Sequence, residues 1–130
     1  MYLLDTNTLI YYFKGLGNVA DRLLAERPAD VVTTTITVFE LLVGIAKSSA
    51  PARRREQLGT LLGSLRAIPF GDREARAAAE VRADLETAGM PIGPLDNLIA
   101  GTARAHGATL VTRNVKEFRR IRDLHVESWY

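Results

Sequence analysis

Five short apolar or β-branched runs, at residues 2–4, 31–34, 67–70, 109–112 and 124–129, are separated along the chain by longer stretches with helical spacing. Runs this short bury themselves only as strands of one sheet, and strands that alternate with helices pair in parallel, because each helix supplies the crossover. The pattern predicts a three-layer α/β/α fold, Rossmann-like, around a mainly parallel sheet, with residues 1–130 forming one domain.

Local signals punctuate the helices. Residues 8–13 are helical until Gly15 and Gly17 interrupt them, and a second helix is expected over 18–26. Thr35 or Thr37 is expected to cap the apolar helix through 39–46, and Pro51 to open the next. Asp72 is expected to cap the alanine-rich helix that ends near Gly89. Gly93 and Pro94 open a further helix that closes before Gly107, and Asn114 with Glu117 has the spacing of a capping box. The last run, 124–129, alternates like an edge strand.

The chain has no cysteine, which excludes a disulfide scaffold, a thiolate metal site and a cysteine nucleophile. No apolar run approaches 18 residues and no basic leader precedes the first strand, so a cytoplasmic protein without a membrane partner is expected. Seventeen bases against fifteen acids leave a net charge of only +2. The distribution says more: Arg104, Arg113, Lys116, Arg119, Arg120 and Arg122 stand against the single acid Glu117. Such a stretch tracks a phosphate backbone or forms a solvated helical face.

Most acids sit among bases, but Asp5, Glu40 and Asp96 each lie in an apolar segment with no Lys or Arg within a helical turn. Burying a carboxylate without a partner costs several kcal/mol, on the order of 2–5. Asp5 and Asp96 could each be held by a helix N-terminus, whereas Glu40 lies too deep in its helix to act as a cap. A divalent cation would neutralise all three, and hard oxygens without Cys or His favour Mg2+, with Mn2+ able to substitute.

Leu3-Leu4-Asp5-Thr6-Asn7, Glu40-Leu41 with Gly44, Asp96 with Ile99-Ala100, Val111-Thr112-Arg113-Asn114 with Glu117-Phe118, and Trp129 follow one another along the whole chain. In this order and spacing they resemble the PIN-domain toxins of VapBC toxin–antitoxin pairs. The resemblance implies an acidic pocket that binds one or two magnesium ions, endoribonuclease activity, a cognate antitoxin partner and a homodimer. It places Asp5, Glu40 and Asp96 at the family's acids, and Thr6 and Thr112 at hydroxyl positions beside the pocket. Many PIN domains carry an aspartate just after the late strand. Here Asn114 stands at that place and Glu117 follows one turn on, as a catalytic acid or as half of the capping box. Arg113, Lys116 and Arg119 are the expected RNA-backbone contacts, with Arg104 more distant, and a tRNA or other structured RNA is the expected substrate. Asn97 and Gly101 stand where relatives more often have apolar residues or alanine.

Other readings are weaker. Residues 15–20 formally match a dinucleotide-binding fingerprint, but they follow a helix instead of leaving the first strand. The 5–8 segment has Asn7 where an aspartyl-nucleophile phosphatase needs a second aspartate. His106 and His125 lack metal-ligand spacing and are read as structural. A PIN-like module that binds or regulates without catalysis is the alternative from another class. Leu41, Leu42, Ile45, Leu58, Leu61, Leu62 and Leu65 exceed one core face, which suggests a surface shared with a protein partner.

Overall fold

The computed structural model describes residues 1–130. Strand β1 (Tyr2–Leu4) leads into α1 (Thr6–Lys14) and α2 (Val19–Ala25), and a 3-10 turn at Pro28–Asp30 precedes β2 (Val31–Thr34). Helices α3 (Thr35–Ala46) and α4 (Pro51–Leu62) lie before β3 (Arg66–Ile68). Helices α5 (Asp72–Thr87) and α6 (Pro94–Ala105) lie before β4 (Thr109–Val111), and α7 (Val115–Phe118) precedes β5 (Val126–Glu127).

The five strands pair in the order β3-β2-β1-β4-β5, and every pairing is parallel. Successive side chains of a strand point to opposite faces, so the central β1 divides its leucines between two cores. Leu3 packs with Val81, Leu85, Ile99 and Phe118 under α5, α6 and α7. Leu4 packs with Leu9, Val19, Leu58 and Leu61 under α1, α2 and α4. Both leucines are fully buried, worth about 1.5–3 kcal/mol each in transfer from water. Helices therefore cover both faces, as three layers require, and none of them is long and apolar enough to cross a membrane.

Several local expectations shift by a residue or more. Thr34, not Thr35 or Thr37, caps α3: its hydroxyl accepts from the Thr37 amide at 3.0 Å. Gly71, not Asp72, precedes α5, where the Glu74 carboxylate reaches back to the Gly71 amide at 2.9 Å. Pro69 has no amide proton to continue a ladder, so the third strand stops at Ile68. The expected 124–129 strand shortens to two residues because it pairs only along the short β4. Gly101 is explained by packing: a Cβ there would fall 2.4 Å from the Ala78 Cα, so glycine lets α6 lie directly against α5.

Candidate functional site

Strand order turns outward in both directions from β1 and β4, and in such sheets the crevice beyond the carboxyl ends of these strands is where ligands bind. Asp5 lies at that edge, tied to β4 by its amide, which donates to the Val111 carbonyl at 3.1 Å. It is only 5% exposed and caps α1, with Oδ1 accepting from the Thr8 amide at 2.9 Å. The Thr8 hydroxyl spends its one proton on the Val111 carbonyl at 3.0 Å, so the amide is the Thr8 group that steadies the carboxylate. Thr112 accepts from the Asn114 amide at 3.1 Å, and its hydroxyl beside Asp5 favours the charged carboxylate. Burial nevertheless raises the Asp5 carboxyl above the ordinary carboxylate range, against these hydrogen bonds and with a further push from the charge of Glu40.

Glu40, in the second turn of α3, is half-buried and takes a 2.6 Å hydrogen bond from the Thr6 hydroxyl. Behind Thr6 stand Thr37, at 3.2 Å, and Thr34, 3.3 Å further back. A hydroxyl donates one proton, so with Thr6 committed to Glu40 the chain runs Thr34 to Thr37 to Thr6 to carboxylate. Thr34 and Thr37 are buried, which fixes the rotamer from which Glu40 is addressed.

Asp96 lies in the first turn of α6, and a Cβ at Gly93 would meet its Oδ2 at 3.3 Å, so glycine leaves that flank open. Burial first, then the charges of Asp5, Glu117 and Glu40 in that order, raise the Asp96 carboxyl to about 6. Asp96 thus feels the charges of the other three acids, and Asp5 that of Glu40. No three of them close into a coordination set by themselves. None takes part in any of the eight ion pairs of the chain.

Asn114 and Glu117 do not form the expected capping box: the Asn114 side chain makes no bond to an α7 amide and donates instead to the Glu117 carboxylate. The Glu117 charge is close enough to contribute to the raised Asp96 carboxyl. Among the bases, Lys116 and Arg119 are exposed on and just after α7. Arg113 is not free: its guanidinium lies over the Tyr130 ring, 3.6 Å from the centroid. Arg104 is engaged by Glu80 at 3.2 Å, at the far end of α6 from Asp96. His106 does not meet helix-end carbonyls; its Nε2 lies 3.3 Å from Glu74 Oε2, near enough for an ion pair but out of line for a hydrogen bond. Asn97 is buried with its Oδ1 unpartnered.

Thr34 and Tyr130 carry structural roles at this edge that the sequence does not single out, and Thr37, expected as a cap, instead joins the hydroxyls behind Glu40. The Thr33-Thr34-Thr35 run and Thr37 look alike as β-branched residues, and only their facing side chains separate cap, relay and surface.

The PIN domain family profile matches residues 2–124. The chain is 32% identical to the tRNA(fMet)-specific endonuclease VapC of Salmonella typhimurium over 128 residues, covering 98% of this chain and 97% of that one. It is 36% identical to Ribonuclease VapC2 of Rickettsia felis over 137 residues, covering 99% and 98%. Its fold superposes on the crystal structure of DNA-bound VapBC from Salmonella typhimurium with a TM-score of 0.93 at 32% identity, covering 99% and 98%. It superposes on VapBC2 from Rickettsia felis, bound to a promoter DNA fragment, with a TM-score of 0.91 at 34% identity, covering 99% and 98%. The chain belongs to the PIN-domain family and, within it, to the VapC ribonucleases of toxin–antitoxin pairs.

Proposed function

We propose that residues 1–130 act as one PIN domain, the endoribonuclease toxin of such a pair, and that Asp5, Glu40, Asp96 and Glu117 hold Mg2+, which Mn2+ can replace. PIN-domain ribonucleases are generally metal-dependent. The observation that carries the proposal is the group of four acids with no base paired to any of them, where burial first and then the charges of the other three raise the Asp96 carboxyl to about 6. Hard oxygen donors with unneutralised charge fit a small divalent cation, and small adjustments of their side chains would complete its shell.

A bound cation would polarise the scissile phosphate and lower the pKa of the attacking water. Asp5, buried and held by the Thr8 amide, is the rigid member of the set. Glu40 is aimed by Thr6, and Glu117 by Asn114. Water oxygen bonds to phosphorus as the bond to the 3′ oxygen breaks. The leaving oxygen takes a proton, giving a 5′-phosphate and a 3′-hydroxyl. Lys116 and Arg119 are placed to hold the flanking backbone, a contribution that weakens with salt.

The name of the Salmonella relative supports a tRNA or other structured RNA as substrate. The VapBC complexes among the structural relatives support a cognate antitoxin. Phe39, Leu42 and Val43 stand exposed along α3 and suit a protein partner, whether the antitoxin or the second copy of a homodimer. The cytoplasm is the compartment that suits these partners. To test the proposal, wild type, Asp5→Asn and Asp96→Asn are incubated with tRNA in Mg2+ and in EDTA, while circular dichroism follows folding. Cleavage by wild type in Mg2+ alone is expected. Equal cutting by all folded samples would reject the metal mechanism, and no cutting by folded wild type would favour a non-catalytic binding module.

A further inference from the structure

Beside the acids lies a second recess of about 280 Å³, lined by Asn7, Tyr11, Thr112, Arg113 and Asn114. It adjoins the candidate catalytic edge, since Thr112 lies beside Asp5 and Asn114 donates to Glu117. We propose that it receives an unpaired nucleobase of the RNA, stacked on the Arg113 guanidinium, next to the phosphate that is cut. This rests on the ribonuclease reading above.

Arg113 has the geometry of a platform. Tyr130 backs it at 3.6 Å and Tyr11 flanks it at 5.6 Å, while the two rings meet edge to face with centroids 4.9 Å apart. Arg113 is exposed, so the side of its guanidinium away from Tyr130 is open to solvent, and guanidinium planes stack bases that have left a helix. A base inside a duplex cannot reach it, so the ligand is a splayed-out nucleotide. The Asn7 amide carries both donors and an acceptor for a base edge, and Asn114, with one N–H given to Glu117, still offers its carbonyl oxygen.

The backing ring is held in place by the chain. Asn18 Nδ2 donates to the Tyr130 carbonyl at 3.1 Å, and the Asn18 amide donates to the Trp129 carbonyl at 3.0 Å. Gly17 has φ +65°, and a Cβ on it would fall 2.7 Å from the Tyr130 Cα, so only glycine admits this contact. Gly17, part of the apparent dinucleotide fingerprint, instead seats Tyr130.

The test uses two short ribose-phosphate oligomers of equal charge, one wholly abasic and one carrying a single central 2-aminopurine, in EDTA so that nothing is cut. Wild type is expected to quench the 2-aminopurine and to bind that oligomer roughly five- to a hundredfold more tightly than the abasic one. Arg113→Lys keeps the charge but not the plane, and Tyr130→Leu removes the backing. Each is expected to abolish the difference while the abasic oligomer binds as before. Tyr130→Trp should keep it. Equal binding of both oligomers by wild type would overturn the proposal, as would a base preference that survives in Arg113→Lys, the variant least able to disturb folding. Cleavage of tRNA in Mg2+ is scored separately. Base-dependent binding without cleavage would count against the nuclease and leave the subsite, while cleavage without base-dependent binding would remove the subsite alone.

Discussion

Helix α5 and the carboxyl edge of the sheet are both rich in acids and treat them oppositely. On α5, Asp72, Glu74, Glu80, Asp84 and Glu86 each have a base within 4.0 Å: Arg76, His106, Arg104, Arg122 and Arg82. At the sheet edge Asp5, Glu40, Asp96 and Glu117 have one another and several hydroxyl or amide donors. Four of the α5 acids are neutralised by arginines and Glu74 faces His106, whereas the edge acids have no base paired to them, at a cost in stability that folding alone would not favour. Unneutralised charge held in place is what a cation site requires.

The largest test of this contrast is activity. In Mg2+, Asp5→Asn and Asp96→Asn should lower RNA cleavage by at least on the order of a hundredfold, as loss of charge stabilisation at a reacting phosphate does. Asp84→Asn, on α5, should leave the rate unchanged. A comparable loss from the α5 variant would break the contrast.

Metal binding should also stabilise the fold. At a Mg2+ concentration a hundred times its dissociation constant, melting followed by circular dichroism should show a gain of about 2.7 kcal/mol over EDTA. The gain should largely vanish in Asp96→Asn and persist in Asp84→Asn.

In EDTA the sign of the pH effect follows from Asp96. Its carboxyl titrates near 3.8 when unfolded and at about 6 when folded, so between these values the folded chain binds more protons. Stability is therefore greatest below pH 3.8 as far as this group is concerned, and is lost as the pH rises through 6. The carboxyl is only half-buried, so solvent screening reduces the loss to roughly 1–2 kcal/mol. Denaturant midpoints for Asp96→Asn should lack this fall. Mg2+ affinity should decline below pH 6 as protons compete for the same oxygens.

The smallest effect belongs to the exposed pair Arg76–Asp72. Arg76→Ala should change unfolding free energy by no more than about 0.5 kcal/mol. A larger change would mean that the α5 pairs contribute more than surface charges ordinarily do.

Much of this architecture was legible along the chain. Short β-branched runs and 3.6-residue spacing are local properties, so the order of strands and helices and the parallel sheet could be read directly. Asp5, Glu40 and Asp96 stood out because isolation from bases is also local. The cap positions moved by one to three residues, from Thr35 or Thr37 to Thr34 and from Asp72 to Gly71, because capping depends on which oxygen meets which amide. Asn114 and Glu117 had capping-box spacing, yet their side chains meet each other instead.

Sequence by itself determined the α/β class, the element order and the set of acids that no neighbouring base can neutralise. Only the folded chain decided that these acids share one crevice, that Thr34, Thr37 and Thr6 line up behind Glu40, and that Arg113 rests on Tyr130. Contacts at this edge join residues as far apart along the chain as Tyr11 and Tyr130, whose rings meet edge to face. Spacing along a chain encodes which face of its own element a side chain takes, but not which distant side chain meets it there.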